Sequence, residues 1–407
     1  MNLAIRFDKL GTETAFAVAE EARAIARTGM KVYPFHLGDI DIKTPAHIIE
    51  AAVRAMNEGK TGYCSNYGVQ ELREALVGEI NRSHGTAYAA ENVAIQPGGK
   101  PVIQKYLLSL MNPGDGVLYP NPGYPIYESL IGFYGGKPIP YTYRETSDGF
   151  HLDLEKLEAS IEPGTRFLIF NNYHNPTGAE AGREELQALS ELVLRHDLSV
   201  LCDEAYFDVR YEGQSTSLAS FPGMIDRCVI LYTFSKKFAM TGWRLGAAVG
   251  PRTVIDAIAK LNVNDESCSN HFVQYAGLHA LQSSQEPSRE LLTILRARRD
   301  LSHGLLSVIP GVRCSLPNTT FYLFPNVTGL MERLGFSDYE PFRRAVLQAT
   351  GVSFCSRIHF GTPLPGERER YIRLSYSGIN LDSIAEGLRR LWEFTESRRS
   401  RAPGSGG

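Results

Sequence analysis

Hydrophobic positions change their spacing along the chain. Between residues 45 and 56, Ile48, Ile49, Ala52, Val53 and Met56 recur at the three-and-four interval of one helical face. Residues 15–28 read as a helix that stops at Gly29, and 69–81 read as a further amphipathic helix. The segment HLGDIDIKTP between them reads as a loop. From there, short apolar runs alternate with stretches long enough to be helices. NVAIQP, GVLYP, KPIPY, RFLIF, LSVLCD, CVILYTF and LGAAVG are the predicted strands. Near-continuous apolar strands between helices predict an α/β fold, with a mainly parallel seven-stranded sheet covered by helices on both faces. This large domain is placed at 45–287.

Beyond about residue 285 the pattern changes. A charged helical stretch covers 286–308, followed by short strands in GVRCSL, TTFYLFP and YIRLSYS and helices at 339–349 and 381–396. These predict a smaller α+β domain, built from 1–44 together with 288–396. The final residues, 397–407, are basic and then Gly-rich and are expected to be a disordered tail.

Composition narrows the function. The chain has 407 residues with 42 Lys plus Arg against 45 Asp plus Glu, a formal net charge of −3. That balance excludes broad capture of nucleic acid or anionic membrane, while leaving room for a local basic pocket. Six cysteines, at 64, 202, 228, 268, 314 and 355, form no CxxC pair and no zinc-type spacing with histidine. They read as reduced thiols, and no metal is expected. MNLAIRFDKL has no secretory pattern, and no run reaches the roughly 18 apolar residues of a membrane helix. A cytoplasmic protein is expected.

In open parallel sheets, ligands bind beyond the carboxyl ends of the strands. CVILYTF ends in Ser235-Lys236-Lys237, and Arg244 follows eight residues after Lys236. A lysine at a buried strand end can be desolvated into a nucleophile, and Thr233 with Arg244 suits a phosphate dianion. LSVLCD ends at Asp203, followed by Glu204, Ala205 and Tyr206. Asp203 suits a ring-nitrogen partner or a helix N-cap. NVAIQP leads into Gly98-Gly99-Lys100-Pro101, an anion site at a helix start or a plain tight turn. Tyr124, in NPGYPIY, can stack on a flat ligand or fill the core, and Asn175-Pro176-Thr177-Gly178 is a turn by composition. In YIRLSYS, Arg373 faces away from Ile372 and Leu374 and can grip a carboxylate or simply lie exposed.

In their joint order, GGK, HNPTG, DEAY, SKKFAMTGWRLG and RLSY resemble the fold-type I pyridoxal-phosphate-dependent aminotransferases of the aspartate aminotransferase-like class I and II group. The resemblance runs from about Gly11 to about Trp392. It implies pyridoxal 5'-phosphate as cofactor and makes the large domain the one that binds it. It implies that Lys236 is the internal aldimine lysine and the base for the proton shift, with Lys237 carrying no role. Asp203 is then the pyridine-nitrogen partner. Asn175 and Tyr206 hydrogen-bond the phenolic oxygen. Gly98, Gly99, Lys100, Thr233 and Arg244 form the phosphate cup, and Tyr124 stacks on the ring. Arg373 anchors the substrate α-carboxylate beside Gly38 and Asn175. Tyr63 reaches the phosphate of a neighbouring subunit, so a homodimer with shared active sites is implied.

The implied reaction moves an amino group from an L-amino acid to a 2-oxo acid by a ping-pong mechanism. Two features depart from the family pattern. The common GEPDF loop is here Gly38-Asp39-Ile40-Asp41-Ile42, and the segment 264–275, with His271, is expected near the pocket. No motif supplies an arginine for a distal carboxylate. A lyase of the same fold, such as a carbon–sulfur β-lyase or a cyclopropane-forming synthase, is the alternative. A ligand-sensing regulator would need a DNA-binding module, for which the match from about residue 11 leaves no room.

Overall fold

All seven apolar runs form strands of a single sheet in the computed structural model, which describes residues 1–11 and 14–399. In spatial order they are Val93–Gln96, Gly246–Val249, Cys228–Thr233, Ser199–Asp203, Thr165–Phe170, Gly116–Pro120 and Lys137–Tyr141. The strand Gly246–Val249 runs antiparallel to both neighbours, while the other pairings are parallel. The reason is the connection before it. A parallel return needs a crossover of a dozen or more residues, usually a full helix. Residues 234–245 are instead used by the short helix Phe234–Lys237 and the 3-10 turn Thr241–Trp243.

Burial on both faces explains why the inner strands read as apolar runs. Successive side chains go to opposite faces. Val200 and Ile230 pack with Leu72, Leu76, Leu186 and Val273. Leu201, Val229 and Leu231 pack on the other side with Val102, Tyr106, Tyr127 and Ile255. The covering helices are Gln70–His84, Arg183–Arg195 and His271–Gln282 on the first face, and Lys100–Leu110, Ile126–Phe133 and Arg252–Asn264 on the second.

A separate core joins the two ends of the chain. Tyr33 and Phe35 are buried with Leu295, Phe321, Leu374 and Leu388. Tyr33–Pro34 pairs in parallel with Val352–Ser353. The helix Ala15–Arg27 is tied in through Glu21, which pairs at 2.5 Å with the buried Arg343 of Tyr339–Thr350. The strand Ile372–Ser375 is central in an antiparallel sheet between Tyr322–Leu323 and Cys355–Ser356.

Several boundaries differ from the sequence reading. GVRCSL contributes one isolated bridge, Arg313 to Asn326, rather than a strand, and TTFYLFP gives the short strand Tyr322–Leu323 and an isolated bridge from Thr319 to Arg210. The hairpin of Tyr143–Glu145 and Phe150–Leu152 is not signalled by hydrophobic spacing. The last helix continues to Arg399, through positions 397–399 of the expected tail, and the rest of that tail lies outside the described residues. The six cysteines are free. Among the described residues no helix is long and apolar enough to cross a membrane, and no His/Cys/Asp/Glu group could hold a metal ion.

Candidate active site

Beyond the carboxyl ends of the central strands lies a cavity of about 540 Å³. Of the site residues read from sequence, all but Gly98 and Tyr63 line it. Lys236 enters from the helix Phe234–Lys237, whose start is capped by the Thr233 hydroxyl accepting from the Ser235 N–H at 3.2 Å. Its Nζ donates to the Gly38 carbonyl at 2.9 Å and lies 5.2 Å from the Phe321 ring centre. Lys237 is directed elsewhere, with Nζ at 2.6 Å from Glu79 and 3.0 Å from Asp208. Burial opposes the Lys237 charge, but the carboxylates of Asp208 and Glu79 outweigh it and hold the pKa above the usual lysine value. The pair of lysines is thus divided by geometry.

Asp203 ends its strand 6% exposed. No helix follows it, so the N-cap reading does not apply. Tyr127 donates to its Oδ2 at 2.5 Å, and the Ala205 N–H donates to Oδ1 at 3.1 Å. Burial pushes its pKa up; the Tyr127 and Ala205 hydrogen bonds pull the other way. A cationic ring nitrogen beside it would offset that burial cost. Glu204 is turned away, accepting from Ser217 at 2.6 Å and lying 2.7 Å from His84 Nε2.

At the next strand end, backbone and cations form a cradle. Gly98 has φ +100°, and a Cβ there would come within 2.1 Å of Arg244 Nη2. Gly99 precedes the helix Lys100–Leu110, with Pro101 in the first turn, and Gly99 and Lys100 at this helix start line the cavity. Arg244 sits in the left-handed region at φ +56°, and its Nη1 donates to the Thr241 carbonyl at 2.7 Å. Thr233 donates to Ser235 at 2.9 Å beside it. A helix start, two hydroxyls, a lysine and an arginine suit a phosphate dianion, and Gly98 leaves the space for the Arg244 guanidinium. These residues fit pyridoxal phosphate.

Arg373 is 5% exposed, not a surface arginine. Nη1 donates to Asn175 Oδ1 and Nη2 to the His36 carbonyl, each at 2.9 Å. Its Nε is buried without a hydrogen-bond partner. The guanidinium lies between the rings of Tyr322, at 4.4 Å, and Phe360, at 4.6 Å. Burial and the Arg373 charge push the His36 pKa down to about 4, so that ring is neutral. A buried cation of this kind suits an anionic ligand.

Tyr63 is 87% exposed and lies outside the cavity. The segment 264–275, expected near the pocket, is not among the residues that line this chain's cavity. His271 donates from Nδ1 to the Gly62 carbonyl at 3.2 Å. Tyr127, Asn171, Ser235 and Tyr322 line the cavity but were not singled out from sequence. Asn171 immediately follows RFLIF, so the strand-end rule pointed to it; it donates to the Asp203 carbonyl at 2.8 Å and accepts the Asn175 N–H at 3.0 Å. Tyr127 is three residues after Tyr124, a helical-turn spacing. Tyr322 carries no comparable signal.

The family described as aminotransferase class I and II matches residues 31–391. The aspartate aminotransferase of Bacillus subtilis (strain 168) is 31% identical over 398 residues, covering 97% of this chain and 99% of that protein. The aspartate/prephenate aminotransferase of Cereibacter sphaeroides (strain ATCC 17029 / ATH 2.4.9) is 34% identical over 353 residues, 85% of this chain and 88% of that one. The crystal structure of the aspartate aminotransferase from Rhizobium meliloti has a TM-score of 0.90 at 30% identity, covering 97% of this chain and 99% of that chain. Sequence and fold agree along nearly the whole chain, and the protein belongs to the class I and II aminotransferases.

Proposed function

We propose that this aminotransferase uses pyridoxal 5'-phosphate, carried by Lys236, to move an amino group from an L-amino acid to a 2-oxo acid in two half-reactions. The observation that carries the reading is convergence. Lys236, Asp203, Arg373 and the Gly99–Lys100–Thr233–Arg244 cradle face one cavity, although they come from distant parts of the chain.

When bound, the cofactor supplies an electron sink for the charge left at the substrate Cα. Asp203 holds the proton on the ring nitrogen, since a buried carboxylate gains most from a cation beside it. Tyr206 and Asn175 would donate hydrogen bonds to the ring oxygen. The cradle would hold the phosphate, and Tyr124 would offer its face to the ring. Arg373 orients the substrate by its α-carboxylate, which brings the Cα hydrogen to Lys236 Nζ. Lys236, its amine released when the substrate amine takes its place, would then take that proton and return it one position away.

We infer also that two copies share their sites, Tyr63 of each serving the phosphate of the other; its exposure outside its own cavity supports this. The division into a 45–287 domain and one of 1–44 with 288–396 belongs to the same reading, supported by the pairing of Tyr33 with Val352.

The test is to mix the holoprotein with single L-amino acids, without oxo acid, and follow its visible spectrum. Conversion to the aminated cofactor, reversed by an oxo acid, is expected and names the donor. Release of ammonia or thiol without that conversion would instead mark a lyase.

A further inference from the structure

We propose that Tyr322 is a positioning residue that couples the Tyr206 phenol to the Arg373 anchor, a role that rests on the cofactor reading above. Tyr322 is buried on the strand Tyr322–Leu323, which pairs with Leu374 and Ser375 beside Arg373. Its hydroxyl lies 2.6 Å from that of Tyr206, at the short end of the usual O–H···O range. Its ring is 4.4 Å from the guanidinium carbon of Arg373. Space for the hydroxyl is built into the opposite wall, since a Cβ on Gly38 would come within 2.1 Å of it. The Gly38 carbonyl in turn accepts from Lys236.

A phenol has one proton. If Tyr206 gives its own to the ring oxygen of the cofactor, its oxygen is left to accept, and the Tyr322 hydroxyl is placed to donate. A donor feeding a donor strengthens the second bond. The charged groups facing Tyr206 are Lys236, with Nζ 5.8 Å from its ring, together with Arg373 and Asp203. None of them occupies the place of the Tyr322 hydroxyl. At the other end, the flat ring under the guanidinium holds the fork in plane and leaves its edge open to a carboxylate.

Two variants separate these roles. Tyr322→Phe removes the hydroxyl and keeps the ring, whereas Tyr322→Leu removes both. Hydrogen bonding to an ionised ring oxygen favours the ionised form. In Tyr322→Phe the pH midpoint of the cofactor's visible absorbance is therefore expected to rise by about 0.5–1 unit. The KM of the amino donor stays within about twofold, because the ring beneath Arg373 remains. Tyr322→Leu shows the same rise with KM increased about fivefold or more. In a Tyr206→Phe background, Tyr322→Phe adds no further shift, which a purely structural role would not produce. A Tyr322→Phe protein that titrates at the wild-type midpoint overturns the coupling. A wild-type protein with no cofactor absorbance overturns the cavity reading and this role with it, which is a distinguishable failure.

Discussion

Replacing Arg373 by lysine keeps the charge and removes the fork. Both terminal nitrogens of Arg373 are already engaged, one with Asn175 and one with the His36 carbonyl. Each still carries a second hydrogen, and Nε has no partner. A carboxylate can therefore be held by two charge-assisted hydrogen bonds while the fork stays locked from behind. Lysine presents its donors from one nitrogen and cannot hold the Asn175 and His36 contacts and both carboxylate oxygens together. Losing one charge-assisted bond costs about 1.5–3 kcal/mol, and losing the stack between Tyr322 and Phe360 about 0.5–1 kcal/mol more. The sum, about 2–4 kcal/mol, corresponds to a fall of about 30- to 1,000-fold in kcat/KM. Most of it should appear in KM, because the contact exists before and during the chemical step. The assay compares each L-amino acid with the amine bearing the same side chain and no α-carboxylate. Wild type should favour the amino acid strongly, and Arg373→Lys should shrink that preference. An unchanged preference would refute the carboxylate anchor, whatever happened to the overall rate.

Other outcomes follow from the same geometry. Lys236→Ala should abolish covalent attachment of the cofactor, read as loss of borohydride-fixed label, whereas Lys237→Ala should retain it. Lys237→Ala should instead cost about 3 kcal/mol of stability in urea unfolding near neutral pH, because Glu79 and Asp208 lose their cation. That wild-type advantage should shrink at high pH, as a lysine with a raised folded pKa loses its contribution when pH climbs through that value. It should shrink again in acid as Glu79, whose pKa is lowered on balance by Lys237 and Arg82 against its burial, becomes protonated. Gly98→Ala puts a methyl into the Arg244 guanidinium and strains a left-handed backbone position, so cofactor affinity measured by fluorescence titration should weaken by about tenfold or more. Tyr127→Phe removes a hydrogen bond that lowers the Asp203 pKa, so the acid limb of the kcat profile should move to higher pH. An unmoved limb would separate Asp203 from that titration.

The sheet was legible because its inner strands are buried on both faces and so read as apolar runs, while the edge strand Lys137–Tyr141 buries Ile139 and Tyr141 on one face. Leu201 and Val200 face opposite helical layers, yet both are fully buried. The direction of Gly246–Val249 was not legible, since hydrophobicity carries no polarity and only the length of the preceding connection decides it. Strand-end logic found Asp203, Thr233 and Lys236, whose places follow from where a strand stops. It did not find Tyr322, which reaches the cavity from the smaller sheet through long-range packing against Gly38 and Arg373. Arg373 was readable as a grip, but its burial between two aromatic rings depends on Phe360, a residue with no motif of its own.

The connection 234–245 has a consequence for how this chain tolerates change in length. Its ends are clamped by two hydrogen-bonded strands whose register is set residue by residue, from Gly246 opposite Thr233 to Val249 opposite Ile230. Lys236 and Arg244 both lie on that one span, so an inserted residue cannot be absorbed at either end and must alter the distance between them. The turn of the Tyr143–Glu145 and Phe150–Leu152 hairpin carries no cavity residue. Insertions there should leave activity intact, whereas a single added residue between Lys237 and Arg244 should pull Lys236 and Arg244 out of step while the sheet still folds.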